Sequence, residues 1–375
     1  MQKKYTSLGL MSGTSGDGVD ASIINSNGID QFEIIKNEYF EYDSDIYDNF
    51  HSLKEKIFTI EDLKRFSEDL LNLERKITFF HAKIVKKINL DNYNDALVGF
   101  HGQTIYHNAK EKISKQLGDG RLLNQLTKRK IVFNFRKNDI LNGGEGAPLT
   151  PIFHQLIATQ KKFELPTCIL NIGGISNLTI IKKPIGSMEI FSRDIGPGNC
   201  LIDSWVRKNS GNKFDKNGRL AISGKKNEII LEQAQELFSN RPNKNKLSLD
   251  TNDFDVSFAR GLNLEDGSAT LTEFTASIIG DSLNNLFKNF DYQIKNIFLC
   301  GGGRKNDFLV KKIKSYLSKE VNIELIDKFK IDGDFIESQA FAFLAIRTLK
   351  NLPISFPNTT GCKKPISGGE TVKNF

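Results

Sequence analysis

Two glycine-rich hairpin signals of the same design stand about 160 residues apart, and a repeat at that distance points to two related halves. The first is 7-SLGLMSGTSGDGVDASII and the second is 168-CILNIGGISNLTII. In each, an apolar run enters a turn of small residues and a second apolar run leaves it. Gly and Asn supply the positive φ of tight turns while β-branched residues favour the flanking strands, so both segments read as β-hairpins. The spacing is far longer than the roughly 20–50-residue period of a solenoid. At roughly 150 residues per domain, a chain of 375 residues predicts two domains or one large one.

Further strands are predicted at 31-QFEIIKNEYF, 95-DALVGFHG, 130-KIVFNFR, 296-NIFLCGGG and 321-VNIELID. Helix-period stretches lie between them. Over 60–90, Leu63, Phe66, Leu70, Ile77, Phe80 and Ile84 follow the spacing of an amphipathic helix, and Thr59 with Asp62 forms a candidate capping box. Residues 228–239, 270–290 and 336–350 read as helices on the same grounds. Strands followed by helices, twice over, predict an α/β protein with two lobes and a cleft. The Pro- and Gly-punctuated segment 352-LPISFPNTTGCKKPISGG predicts an irregular end.

Charge and cysteine usage narrow the function classes. Fifty-two Lys and Arg against 45 Asp and Glu leave +7. That charge is spread through segments such as 224-SGKKNEI and 241-RPNKNKL rather than gathered into a basic stripe, so no nucleic-acid partner is expected. Cys168, Cys200, Cys300 and Cys362 are far apart and form no CxxC pair, which argues against a disulfide scaffold or a cysteine zinc site. No apolar run approaches 18 residues, so no membrane span is expected. The opening MQKKYTSLGLMSGTSGDG breaks into Ser, Gly and Asp before a leader's apolar region could form, and a cytoplasmic protein is expected.

Several segments carry residue types suited to chemistry. In the first hairpin, Gly13, Gly16 and Gly18 let backbone approach an anion, and turn N–H groups can nest phosphate oxygens. Ser12, Thr14 and Ser15 add neutral donors, and Asp17 has the hard oxygens that suit Mg²⁺. The same pattern also suits an ordinary tight hairpin. Gly301, Gly302 and Gly303 follow a strand and precede a helix, which fits either close approach of a ring or phosphate or a plain strand-to-helix turn. In 191-FSRDIGPGNCLIDSW, Asp194 is a candidate general base or an Asx-turn aspartate. Arg136 could clamp a carboxylate or pair with Asp139. Glu337 could contact a substrate or favour its helix dipole. His101 and His107 do not have a recognised ligand spacing.

Taken together, GLMSGTSGDGVD, GFHGQTIYH, NFRKNDILNGGEGAPLTPIFH, LNIGGISNLT, RDIGPGNCLIDSW, EDGSATLTEFTA, CGGGRKNDFL and ESQAFAFLA resemble the anhydro-N-acetylmuramic acid kinase family of cell-wall recycling enzymes. The resemblance runs from residue 8 to about residue 370. It implies the two-lobed actin/hexokinase/Hsp70-like ATPase fold, with duplicated ribonuclease-H-like halves and a central cleft. The lobes are expected at 1–136 plus about 346–375, and at 137–345. The implied cofactors are ATP and Mg²⁺, the implied partner is an amino sugar, and a homodimer is implied.

Residue by residue, the resemblance gives Ser12, Gly13, Thr14, Ser15, Gly16, Asp17, Gly18 and Val19 to the ATP phosphates, with Asp17 near Mg²⁺. It gives Gly173 and Gly174 to a second phosphate hairpin, and Gly301, Gly302 and Gly303 to adenosine. Thr104, Arg136 and Glu337 match sugar contacts, and Asp194 matches the general base. Departures from the family pattern are Gly16, where Leu or Met is usual, Asn134 for Asp, Glu145 for Gln and Ile195 for Thr. Gly16 is expected to loosen the first hairpin.

Overall fold

The structure, a computed structural model, describes residues 3–90, 92, 93, 95–241 and 248–373. Most of the basic segment 241-RPNKNKL therefore lies outside the described residues. The chain divides into two compact units. The first runs to Lys162 and takes in Lys183–Phe191 and the chain from Asp334 onward; the second is Phe163–Lys182 and Ser192–Gly333.

Among the described residues, the first unit holds a seven-stranded sheet. Its strands are β1 (Tyr5–Ser12), β2 (Gly18–Ser26), β3 (Phe32–Glu41), β4 (Leu97–Asn108), β5 (Ile113–Leu117), β6 (Lys130–Phe133) and, from the far end of the chain, β12 (Glu370–Val372). The order is β12-β6-β4-β1-β2-β3, with β5 folded back on β4. β1 and β2 form the expected antiparallel hairpin, with Leu8 opposite Ile23 and Leu10 opposite Ala21. β4 joins β1 in parallel and β6 joins β4 in parallel.

The second unit repeats this order. Its strands are β7 (Thr167–Ile172), β8 (Ile175–Ile181), β9 (Ile190–Pro197), β10 (Asn296–Cys300) and β11 (Asn322–Leu325), arranged β11-β10-β7-β8-β9. β7 and β8 form the second hairpin, and β10 lies parallel to both β7 and β11. Position for position, β3-β2-β1-β4-β6 corresponds to β9-β8-β7-β10-β11. This is the duplicated ribonuclease-H-like pattern of the actin/hexokinase/Hsp70-type ATPase fold.

The helix Ile336–Leu349 settles where the first unit ends. It packs on β1, β2 and β4, and two glycines admit it. A Cβ on Gly9 would stand 1.8 Å from the Ser338 carbonyl oxygen, and one on Gly99 would stand 2.3 Å from that of Phe341. The compact division groups 137–162, 183–191 and 334–345 with the first sheet, where the sequence expectation gives 137–345 to the second lobe. The buried helix Pro151–Gln160 also belongs here, through Phe153 packed edge-on against Phe32 at 4.9 Å.

The predicted helix over 60–90 is two helices, Ile60–Arg65 and Ser67–Ile88, because Phe66 leaves helical geometry at φ −99° and ψ 23°. The Thr59–Asp62 capping box is present. Leu70, Ile77 and Ile84 face the core with Phe50, Val98 and Phe100. In the second unit the helix Leu264–Lys288 starts earlier than predicted, where Asn263 accepts the Asp266 N–H. Trp205 is buried as expected, its indole N–H donating to the Leu264 carbonyl at 3.0 Å.

Candidate active site

The first hairpin carries a loop at Gly13–Asp17, and its ends are anchored inside the sheet. Of the eight residues Ser12–Val19, this middle stretch carries the exposed side chains, Thr14 and Ser15. Ser12 is buried, and its hydroxyl bonds Tyr42 Oη at 2.8 Å and His81 Nε2 at 3.4 Å. Gly18 abuts Phe40 and Tyr39, and the Val19 side chain is core. In this structure the Ser12 hydroxyl braces the loop from below. Thr14 and Ser15 are exposed at the crest of the loop.

Three contacts set the loop's shape. Gly16 N–H donates to Gly13 C=O at 3.1 Å, closing the turn. Gln103, fully buried on β4, donates from Nε2 to Gly13 C=O at 2.8 Å. Gly16 sits at φ +64°, where a Cβ would fall 2.2 Å from the Phe50 ring. The expectation that Gly16 loosens the hairpin is corrected here: the Phe50 ring occupies the volume a side chain at this position would claim.

Asp17 accepts a hydrogen bond from the Ser15 hydroxyl at 2.7 Å, and its backbone carbonyl accepts the Tyr42 N–H at 2.9 Å. Burial, and then the charges of Asp17, Asp20 and Glu41, raise the pKa of the Tyr39 phenol above its ordinary range, which marks this edge as electronegative. Among the described residues no group of three or more His, Cys, Asp or Glu could hold a resident metal. A lone carboxylate in a negative field does fit Mg²⁺, which keeps most of its waters and binds through one or two carboxylates plus phosphate oxygens.

The predicted sugar contacts also fall in the first unit. Thr104 lies on β4, its hydroxyl accepting from Gln116 at 3.3 Å. Arg136 follows the end of β6 and donates from Nε and Nη2 to His101 Nε2 at 3.2 and 3.0 Å, and from Nη1 to Gly146 C=O at 3.2 Å. Asp139 accepts instead from Gly146 N–H at 2.7 Å and the Thr360 hydroxyl at 2.7 Å, so it holds the glycine loop. Glu337 opens the helix Ile336–Leu349; burial raises its carboxyl pKa, and the charge of Arg136 pulls it back. Asn134 stands at φ +54°, a left-handed position that Asn tolerates as readily as the Asp it replaces.

In the second unit, Gly173 and Gly174 join β7 to β8, and the turn after β9 locks onto them. Gly198 N–H and Cys200 N–H donate to Gly174 C=O at 2.9 and 3.2 Å, and Asn199 N–H donates to Gly173 C=O at 2.8 Å. Asp194 lies inside β9 rather than at its end, buried, with one carboxylate oxygen accepting Leu249 N–H at 2.7 Å. Ile195, also buried, uses its carbonyl to accept the Ser282 hydroxyl at 3.0 Å.

Gly301–Gly303 meet the same hairpin from β10. Gly301 is at φ +78° against Asn171 and Ile172, Gly303 abuts Ile172, and Gly302 is exposed. The turn is fixed by a residue that the sequence reading passed over. Arg304, buried, donates from Nε and Nη2 to the two Asp327 oxygens, both at 2.8 Å, and from Nη1 to Gly301 C=O at 3.1 Å. Its position directly after the glycine run was the available signal.

Each unit thus gathers its own share of the motif residues: the Gly13–Asp17 loop, Thr104, Arg136 and Glu337 in the first, and Gly173, Gly174, Asp194 and Gly301–Gly303 in the second. Across the whole chain, the family model described as Anhydro-N-acetylmuramic acid kinase matches residues 5–373. The chain belongs to this family. It is similar to the anhydro-N-acetylmuramic acid kinase of Pelagibacter ubique, at 54% identity over 100% of both chains. It is also similar to those of Agrobacterium fabrum, at 35% identity over 100% of both, and Zymomonas mobilis, at 36% identity over 96% of this chain and 98% of the relative. As a member of this kinase family, the protein is a phosphotransferase enzyme. Among the described residues, no helix is long and apolar enough to cross a membrane.

Proposed function

We propose that the enzyme opens the 1,6-anhydro bridge of 1,6-anhydro-N-acetylmuramic acid with water and phosphorylates O6 from ATP, giving N-acetylmuramic acid 6-phosphate and ADP. The observation that carries this reading is the buried Asp194, oriented by Leu249 N–H on the strand that leads into the Gly196-Pro197-Gly198 turn. A carboxylate fixed in this way can take a proton from water as the water oxygen bonds to C1. The C1–O6 bond breaks, and the freed O6 attacks the γ-phosphorus as its bond to the β,γ-bridging oxygen breaks. One water hydrogen remains on the new C1 hydroxyl, and the other passes through Asp194 to solvent. General base catalysis of this kind contributes roughly 10²–10⁴ in rate.

The remaining residues bind and orient. Gly13–Asp17 cradles phosphate oxygens with turn N–H groups and the Thr14 and Ser15 hydroxyls, and Gly173–Gly174 provides a second backbone cradle. Asp17 would hold Mg²⁺, which neutralises charge on the transferring phosphoryl group. Gly302, flanked by Gly301 and Gly303, offers a flat surface for adenine or ribose. Thr104, Arg136 and Glu337 hold the sugar, with Arg136 suited to the lactyl carboxylate. We place the reaction in cytoplasmic recycling of cell-wall sugars, carried out by a homodimer.

Mass spectrometry of a reaction in ¹⁸O-water tests the chemistry. The expected 6-phosphate carries one solvent oxygen, at C1. Asp194→Asn is expected to keep ATP binding and lose turnover by roughly 10²-fold or more. A product without solvent oxygen would remove the coupled hydrolysis from the mechanism, and near-normal turnover in this variant would remove Asp194 as its base.

A further inference from the structure

We propose that His101 is the positioning residue for Arg136, holding the guanidinium edge through a neutral imidazole so that the enzyme prefers a carboxylate-bearing sugar. The proposal rests on the reading of Arg136 as the sugar's carboxylate contact and adds what aims that side chain.

The tautomer follows from the hydrogen bonds. His101 Nδ1 lies 2.8 Å from the Gly102 carbonyl oxygen. A carbonyl only accepts, so Nδ1 carries the proton and donates. Nε2 is left with its lone pair, and this atom faces Arg136 Nε and Nη2 at 3.2 and 3.0 Å. Both guanidinium nitrogens donate to that one acceptor while Nη1 donates to Gly146 C=O at 3.2 Å. Two edges of a planar group are thereby fixed, which sets the direction of the plane.

The imidazole is itself held. It is buried, and it packs against Phe341 with ring centroids 4.5 Å apart; Phe341 in turn meets Phe135 at 5.2 Å. Burial first, and then the adjacent Arg136 charge, hold His101 well below its usual pKa and keep it neutral. A neutral acceptor orients the guanidinium without cancelling its charge, as a carboxylate in the same place would. Fixing a long, rotamer-rich side chain before substrate arrives removes part of its ordering cost from binding.

Three variants and one spectrum test this in the full-length enzyme. His101→Gln carries an amide oxygen that reaches the Nε2 position. His101→Asn reaches only the Nδ1 position, and His101→Leu offers neither. Steady-state kinetics use Mg-ATP with the anhydro sugar and with an otherwise identical sugar that lacks the lactyl acid. In His101→Leu and His101→Asn the sugar KM is expected to rise about 10-fold, with the ATP KM within about 2-fold and the preference for the acid-bearing sugar falling toward one. His101→Gln is expected to stay near the parent. If His101→Leu does not fold, the Asn and Gln variants decide between them. Equal sugar KM in those two, or parallel changes in both substrates' KM, would overturn the proposal. ¹⁵N-histidine NMR provides a readout independent of turnover. The parent should show the Nδ1–H tautomer, and Arg136→Ala should shift the Nε2 resonance of His101. An unmoved resonance refutes the pairing. A parent enzyme that ignores the sugar while the resonance still moves refutes the substrate reading instead.

Discussion

The two hairpins occupy the same place in their sheets and are held to different degrees by side chains. The first loop adds side-chain braces to its two backbone bonds: Tyr42 and His81 on Ser12, Gln103 on Gly13, and the Phe50 ring against Gly16. The second turn is fixed by backbone, through three N–H groups of Gly198, Asn199 and Cys200 on two carbonyls. A loop braced by side chains can be longer, and it leaves Thr14 and Ser15 toward solvent. A turn braced mainly by backbone is short, and it depends chiefly on the absence of a Cβ, with the Ser176 hydroxyl on Pro197 C=O as a side-chain contact. The duplication therefore preserves topology while the means of rigidity has diverged, and the two halves should break differently.

Mild acid should separate them most. All five histidines lie before residue 155, and the second unit contains none. Burial holds His81 at a pKa of about 4 and His154 at about 3. Each lies below the ordinary 6.5, so as pH falls through 6.5 the unfolded chain takes up protons that the folded unit refuses. Stability is complete above that value and declines toward pH 4, by on the order of 3 kcal/mol for His81 alone. Hydrogen exchange followed from pH 7 to 4.5 should show protection falling in β1, β4 and the helix Ser67–Ile88 before it falls in β7 and β10. Equal loss in both units would refute the contrast.

Gly198→Ala strikes the second turn directly. The new Cβ would stand 2.1 Å from the Gly173 carbonyl oxygen, and neither partner is a flexible side-chain end. Overpacking of this kind costs about 3 kcal/mol. Chemical denaturation should register the loss, and turnover should fall with it because Asp194 lies on the strand feeding this turn. An unchanged midpoint would mean that the turn yields more readily than its hydrogen bonds imply.

Local signals made the hairpins, the central strands and the Thr59–Asp62 cap legible in sequence, because each depends on neighbouring residues. β12 was read as irregular. Three residues, Glu370–Val372, carry little strand signal of their own, and their order comes from antiparallel pairing with β6, more than 200 residues away. The bracing of Ser12 is equally invisible locally: its partners Tyr42 and His81 lie 30 and 69 residues along the chain. The Arg304–Asp327 clamp spans 23 residues and was missed despite the conspicuous glycines beside it. The motifs marked where a site would form. Which side chain faces a ligand and which faces the core was decided by long-range partners.

The smallest expected effect on stability is also the most specific probe of the first loop. In Gln103→Leu, Nε2 is lost and with it the bond to Gly13 C=O, which costs about 1 kcal/mol. The same change removes Gln103 Oε1, a buried acceptor with no hydrogen-bond partner among the described residues, and relief of that desolvation is of comparable size and opposite sign. The two terms nearly cancel, so the urea midpoint should move little. The loop, however, loses its only contact of this kind from β4 to Gly13 among the described residues, and its donors are no longer held in place for phosphate. The expected signature is an ATP KM raised several-fold in a protein of nearly parental stability, with the sugar KM unchanged. A parental ATP KM would show that the Tyr42, His81 and Phe50 contacts alone suffice, and that the first loop, like the second turn, does not need the side chain on its neighbouring strand.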